Sequence, residues 1–250
     1  MKAIVVANWK MNPQSFADAR RLFIVTKTIA ERMKKVDIIV AAPTIFLRDL
    51  RKGYRGKRVS FAAQNMHWME HGSYTGEISA TQLKDAGIQY VLIGHAERRA
   101  MGETNEVIAR KMETALKAGL KVIFCIGEKE RDATGRYLHV IREQIEHGLR
   151  NVQKKYVKNI IVAYEPVWAV GKDKAMDGQE MHQMSIYIRK TLVGLFEKAG
   201  MDTPVIYGGS VDEIKELEVL TDGEVQGLLL GRASIDPFVF PKLIGAIQVK

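Results

Sequence analysis

Three side chains able to hold or move a proton follow short apolar runs in this sequence, each beside residues that favour a sharp turn. Lys10 ends the triplet Asn8-Trp9-Lys10 after the run Ala3-Ala7. His95 lies in Gly94-His95-Ala96-Glu97-Arg98 after Tyr90-Ile93, and Glu165 stands between Ile160-Tyr164 and Pro166. Two more runs end on glycine: Val205-Tyr207 leads into Gly208-Gly209-Ser210, and Gly227-Leu230 into Gly231-Arg232. A carboxylate serves as general base, an imidazole relays protons between neighbouring oxygens, and an ammonium group offsets developing negative charge. Glycine turns present backbone N–H groups to anions. The set reads as proton transfer on a small phosphorylated substrate. Taken singly, each residue has a plainer reading: Lys10 as a surface cation, His95 as a satisfied core histidine, Glu165 as partner to an arginine, the glycines as tight turns. Their joint position at the ends of successive apolar runs is what favours chemistry.

Those runs must share one surface for that reading to hold. Eight recur: Ala3-Ala7, Ile38-Ala42, Val59-Ala63, Tyr90-Ile93, Val122-Ile126, Ile160-Tyr164, Val205-Tyr207 and Gly227-Leu230. Continuous rather than alternating, they predict parallel strands buried on both faces. Helical periodicity fills the gaps. Met181, Met184, Ile188, Leu192 and Leu195 recur at three- and four-residue steps, with Asp177 and Glu180 spaced as a capping box. Another helix is predicted from about Thr104 to Ala118, ended by Gly119. Strands alternating with helices, without a linker, predict a single-domain α/β protein, a (β/α)8 barrel over residues 1–250. An open doubly wound sheet is the alternative, but its G-x-G-x-x-G fingerprint is absent. Barrel chemistry sits at the C-terminal ends of strands, so the five loops named above would converge on one rim.

Composition narrows the setting. Hydrophobic residues make up 46% and charged residues 27%, which is globular rather than disordered. Cys125 is the only cysteine, so no intrachain disulfide forms and a reducing compartment is expected. The apolar run after Met1-Lys2 is too short for a secretory signal, and no run is long enough to span a membrane, so the expected location is cytoplasmic. The 38 basic and 29 acidic residues give +9, a field that attracts a small anionic substrate. The basic residues are dispersed along the chain and runs such as Arg51-Lys52, Arg55 and Lys57-Arg58 are short, so neither nucleic acid nor membrane is expected as a partner.

The segments Asn8-Trp9-Lys10-Met11-Asn12, Thr75-Gly76-Glu77-Ile78-Ser79 and Gly94-His95-Ala96-Glu97-Arg98-Arg99 resemble motifs of the triosephosphate isomerases, a TIM-barrel family. So do Cys125-Ile126-Gly127-Glu128, Tyr164-Glu165-Pro166-Val167-Trp168-Ala169-Val170-Gly171 and Tyr207-Gly208-Gly209-Ser210-Val211, in the family's order across nearly the whole chain. The resemblance implies interconversion of dihydroxyacetone phosphate and D-glyceraldehyde 3-phosphate through an enediolate, without metal or organic cofactor, in glycolysis and gluconeogenesis. It implies Glu165 as general base, made more basic when a lid excludes water. His95 is implied as a neutral imidazole, kept so by N–H groups of a short helix beginning near Ala96. Lys10 would bind substrate and offset enediolate charge, with Asn8 positioning Lys10 and the substrate oxygens. The phosphate is expected on backbone N–H groups of Gly171, Ser210, Gly231 and Arg232. Residues 166–177 read as the lid, with Tyr207 and Ser210 as its latch.

Three departures from the family pattern stand out. Ala96 replaces a serine whose hydroxyl holds the glutamate in the open state, so Glu165 must be parked differently. Gly171-Lys172-Asp173 replaces Gly-Thr-Gly in the lid, and Arg232 replaces a second glycine beside the phosphate. One decoy is His67-Trp68-Met69-Glu70-His71, which fits the H-x-x-E-H zinc pattern but lies in a connector instead of the helix that pattern needs. The same connector carries Met66, Trp68, Met69 and Tyr74, apolar groups that predict a contact surface. The resemblance makes that contact a homodimer through the 65–79 loop, with Thr75 approaching the partner subunit's site. Rival readings are another phosphate-binding barrel isomerase and a non-enzymatic binding protein on the same scaffold.

Overall fold

A strand with apolar side chains on both faces needs a cover on each, and a closed barrel wrapped in helices supplies both. The computed structural model describes residues 2–169 and 176–249. The strands are β1 (Ala3–Asn8), β2 (Val36–Ala41), β3 (Val59–Ala63), β4 (Tyr90–Ile93), β5 (Lys121–Ile126), β6 (Ile160–Tyr164), β7 (Val205–Tyr207) and β8 (Gly227–Leu230). All pair in parallel with their sequence neighbours, and β1 closes the ring on β8 through Ile4 opposite Gly227. β2 starts earlier than its apolar run because Asp37, exposed and paired with Lys2 at 3.2 Å, interrupts the pattern without interrupting the ladder.

Side chains alternate between two layers, as strand geometry requires. Val6, Ile39, Leu92, Ile123, Ile206 and Leu229 fill the barrel interior. Their neighbours Val5, Val40, Phe61 and Phe124 point outward beneath the helices. Truncating a fully buried aromatic such as Phe61 to alanine would cost about 3–5 kcal/mol.

The helices are α1 (Phe16–Arg32), α2 (Thr44–Gly53), α3 (Ala80–Asp85), α4 (Ala96–Ala100), α5 (Asn105–Lys117), α6 (Arg136–Leu149), α7 (Gly178–Phe196), α8 (Lys198–Met201), α9 (Glu218–Thr221) and α10 (Val239–Val249). α5 opens on Thr104, whose side chain accepts the Val107 N–H, and the chain turns away at Gly119, φ 78°. α7 opens on Asp177, which accepts the Glu180 N–H at 2.8 Å. No reciprocal bond from Glu180 is formed; its carboxylate meets Arg131 at 3.1 Å, so half of the expected capping box is present. Among the described residues no helix is long and apolar enough to cross a membrane.

The connector after β3 departs from its reading at one residue. Met66 is fully buried, whereas Met69 and Tyr74 are exposed, so the apolar surface of this loop is smaller than its sequence suggests. His67 is also buried, stacked on Trp68 and packed against Tyr74, with its Nδ1 accepting the Met69 N–H. No metal-ligating trio gathers among the described residues.

Candidate active site

Lys10 leaves β1 in the left-handed region, φ 52°, a strained conformation for a residue with a side chain. Its main chain is held there from both sides. The Lys10 N–H donates to Asn8 Oδ1 at 3.0 Å, and Gln64 Nε2 donates to the Lys10 carbonyl at 2.9 Å. Gln64 also reaches the Ala41 carbonyl, tying the ends of β1, β2 and β3 together. The Lys10 ammonium extends across the rim to Glu97 Oε1 at 2.6 Å.

His95 follows Gly94, whose φ of 79° turns the chain sharply out of β4. Arg99 braces this turn, donating to the Gly94 carbonyl at 2.7 Å and to the Cys125 carbonyl at 3.3 Å. The His95 ring caps α4, with Nδ1 accepting the Glu97 N–H at 3.3 Å. In the neutral ring the proton therefore sits on Nε2, 3.1 Å from Glu165 Oε1, with the Asn8 amide nitrogen 3.2 Å away. Burial opposes charging this imidazole, but the charge and hydrogen bond of Glu165, with the charge of Glu97, outweigh it, and the His95 pKa is raised. The capping bond agrees with the neutral ring expected from the sequence; the adjoining carboxylate works against it.

Glu165 is buried at the end of β6. Its Oε2 accepts the Ala96 N–H at 3.1 Å while Oε1 faces His95, so a main-chain donor and the imidazole hold it where no serine hydroxyl exists. The carboxylate has room because residue 208 is glycine: a Cβ there would lie 2.7 Å from Glu165 Cγ.

Lys10, His95 and Glu165 share a cleft of about 340 Å³ with Asn8, whose far wall is Gly209, Ser210, Gly231 and Arg232. The sequence-predicted residues thus meet on one rim, except Gly171, Lys172 and Asp173, which lie outside the described residues. Both ends of the lid reach its expected latch: Ser210 Oγ donates to the Ala169 carbonyl at 3.4 Å, and Tyr207 Oη accepts the Met176 N–H at 3.1 Å. The Arg232 guanidinium turns to Asp212 at 2.9 Å.

Four polar residues at the rim had no role assigned from sequence. Gln64 and Glu97 pin and pair Lys10, Asp212 holds Arg232, and buried Glu128 accepts from Tyr164 Oη at 2.8 Å and Trp168 Nε1 at 2.7 Å. Gln64 directly follows β3 and Glu128 stands two residues past the end of β5, so the strand-end rule extended to those strands would have found them.

A second cleft of about 430 Å³ opens on the other side of Lys10 and His95, between Met11, Gly76, Glu77, Arg98 and Met101.

The family model "Triosephosphate isomerase" matches residues 3–247. A triosephosphate isomerase from Coprinopsis cinerea is 40% identical over 237 residues, covering 93% of each chain. One from Alkaliphilus oremlandii is 37% identical, covering 94% of this chain and 95% of its own. One from Dictyoglomus turgidum is 36% identical, covering 96% and 97%. Matched along nearly its whole length by the family model and by these relatives, the chain belongs to the triosephosphate isomerase family.

Proposed function

We propose that this chain interconverts dihydroxyacetone phosphate and D-glyceraldehyde 3-phosphate by proton transfer through an enediolate, as a cytoplasmic homodimer of single-domain subunits. The observation that carries the reading is the convergence of Glu165, His95 Nε2 and the Lys10 arm on one cleft floored by the β7 and β8 glycine turns. Substrate entering that cleft displaces Glu165 from Ala96 and His95 and presents a carbon-bound proton to the carboxylate. The carboxylate takes that proton and returns it to the neighbouring carbon. His95 Nε2 then faces the substrate oxygens; losing the Glu165 contact removes the main influence that favours its charged form. Lys10, exchanging Glu97 for the enediolate oxygen, offsets the charge that develops. Asn8 sets the Lys10 main chain and stands beside His95. The phosphate is received by backbone N–H groups of Ser210, Gly231 and Arg232, joined by Gly171 when the lid closes.

The second cleft and the 65–79 loop support the dimer. Lys111 Nζ holds Asn65 at 2.7 Å and Thr114 Oγ1 holds the Trp68 carbonyl at 2.8 Å, so the loop is presented as a fixed shape with Tyr74 exposed.

The test is turnover of both triose phosphates by the purified chain and by Glu165→Ala. Loss of the base is expected to lower kcat by about 10²- to 10⁴-fold with KM little changed. Equal rates for the two proteins, or no turnover by the folded parent chain, would exclude Glu165 as base or the reaction itself.

A further inference from the structure

Residues 20–58 hold 12 of the chain's 38 lysines and arginines but only three of its 29 acidic residues, a net of +9. The other 211 residues carry 26 of each sign, so the whole charge of the molecule lies on α1, β2, α2 and the loops that join them. Within this stretch the cations are spread over two helices and their loops, and the fold brings the loop cations to one end of the barrel. α1 ends at Arg32 and α2 at Gly53, so the loops before β2 and β3 lie at the N-terminal ends of the strands, opposite the catalytic rim. Arg58 joins the two loops. It donates to the carbonyls of Ala30 and Met33 at the end of α1 and of Val36 at the start of β2, and lies 3.9 Å from Asp37, which also holds Lys2.

On this shared surface Lys34, Lys52, Arg55 and Lys57 are exposed and have no carboxylate partner among the described residues. Cations do favour helix C-termini, but α3, α4, α5 and α8 also carry lysine or arginine in their last turns, in a part of the chain that nets to zero. Attraction of substrate does not account for the patch either, because its dense end faces away from the cleft. Among the described residues of loops 33–35 and 54–58 no large apolar or aromatic side chain is exposed. A membrane surface would call for apolar anchors, single-stranded nucleic acid for stacking aromatics, and a protein partner for an aromatic or aliphatic hot spot. What a bare cationic surface fits is a regular array of phosphates.

We infer that the face built by the C-terminal ends of α1 and α2 binds the sugar–phosphate backbone of a nucleic-acid duplex, without reading its sequence.

The experiment measures anisotropy of a short fluorescein-labelled DNA duplex of mixed sequence against the full-length protein over a salt series. Three proteins are compared: the parent chain, a patch variant with Lys34→Gln, Lys52→Gln, Arg55→Gln and Lys57→Gln, and a control with Lys158→Gln, Lys190→Gln, Lys198→Gln and Lys242→Gln. The parent is expected to bind at low salt, and the patch variant to show a slope of log K against log salt shallower by about 3 to 4. The control, with the same net charge, keeps the parent slope, and triose phosphate turnover in both variants reports that they are folded. Duplex protection of Lys34, Lys52 and Lys57 from amine labelling in the parent chain gives a readout that needs no variant. Absence of low-salt binding, an equal loss in the control, or preference for phosphatidylserine vesicles over duplex would each overturn the inference. Turnover is read separately, so failure here leaves the isomerase reading untouched.

Discussion

Arg232 puts a cation at a position where the resemblance leads one to expect glycine, and the structure gives that cation a partner. Its ion pair with Asp212 bridges the loops after β7 and β8 at the mouth of the cleft, beside the proposed phosphate site. Both side chains are largely exposed, so the pair adds little stability, about 0–1 kcal/mol. Its consequence is electrostatic: Asp212 cancels the charge that Arg232 would otherwise offer to a dianion. Asp212→Asn is expected to lower KM, and Arg232→Gly to raise it, each by about 1.5- to 5-fold, with kcat nearly constant and both effects shrinking in high salt. A raised KM in Asp212→Asn would show that the aspartate holds the loop rather than masks the arginine. At this scale the legibility of the site followed burial. Lys10, His95 and Glu165 were visible because each follows a run of fully apolar residues. Asp212 and Glu97 were not, because each acts through a contact with a residue far away in sequence that spacing does not encode.

Among the elements, the lid's leading segment, Val167–Ala169, is fastened to two strand ends by one carboxylate. Buried Glu128, just past β5, accepts from Tyr164 on β6 and from Trp168 in that segment, and Arg131 approaches it at 3.3 Å. Burial, then the neighbouring Glu128 charge, push the Tyr164 hydroxyl far above its ordinary pKa, so it stays a donor to that carboxylate. Arg131 also lies 5.1 Å over the Trp168 ring and pairs with Glu180 in the first turn of α7, so the same group reaches both sides of the lid. Glu128→Gln keeps the volume but turns an amide N–H₂ toward existing donors. Hydrogen bonds to a charged group contribute about 1.5–3 kcal/mol, so lid positioning should suffer by roughly 10- to 100-fold in kcat/KM. Free phosphate released per turnover should rise, because a poorly closed lid exposes the enediolate to elimination. Unchanged phosphate release with a lowered melting temperature alone would assign Glu128 a purely structural role. Strands were legible to within two residues because period and burial coincide in them. This anchor was not, because a tyrosine, a tryptophan and two carboxylates on four separate elements carry no common periodicity.

For the whole molecule, the barrel topology was legible because eight apolar runs alternating with helices admit few closed arrangements. A contact surface was legible in the apolar residues of the 65–79 connector, its use by a second copy only through resemblance, and the structure narrows the set of exposed residues. Met66 belongs to the core, while the exposed apolar groups near the second cleft are Met11 and Met101 on its walls and Met69 and Tyr74 on the loop. If one subunit's loop enters its partner's cleft, the two surfaces meet beside Lys10 and His95, and association bears on catalysis through the strained Lys10 turn. Met101, 72% exposed just after α4, can be changed without disturbing the core of a single subunit. Met101→Glu would bury an unpaired charge only in the dimer, at a cost of several kcal/mol. Sedimentation should then show dissociation at concentrations where the parent chain remains dimeric, with specific activity falling on dilution. A Met101→Glu protein that sediments like the parent and keeps concentration-independent activity would move the interface away from this cleft. One that dissociates yet retains full activity would keep the interface and show that a single subunit holds the Lys10 turn unaided, through Asn8 and Gln64 alone.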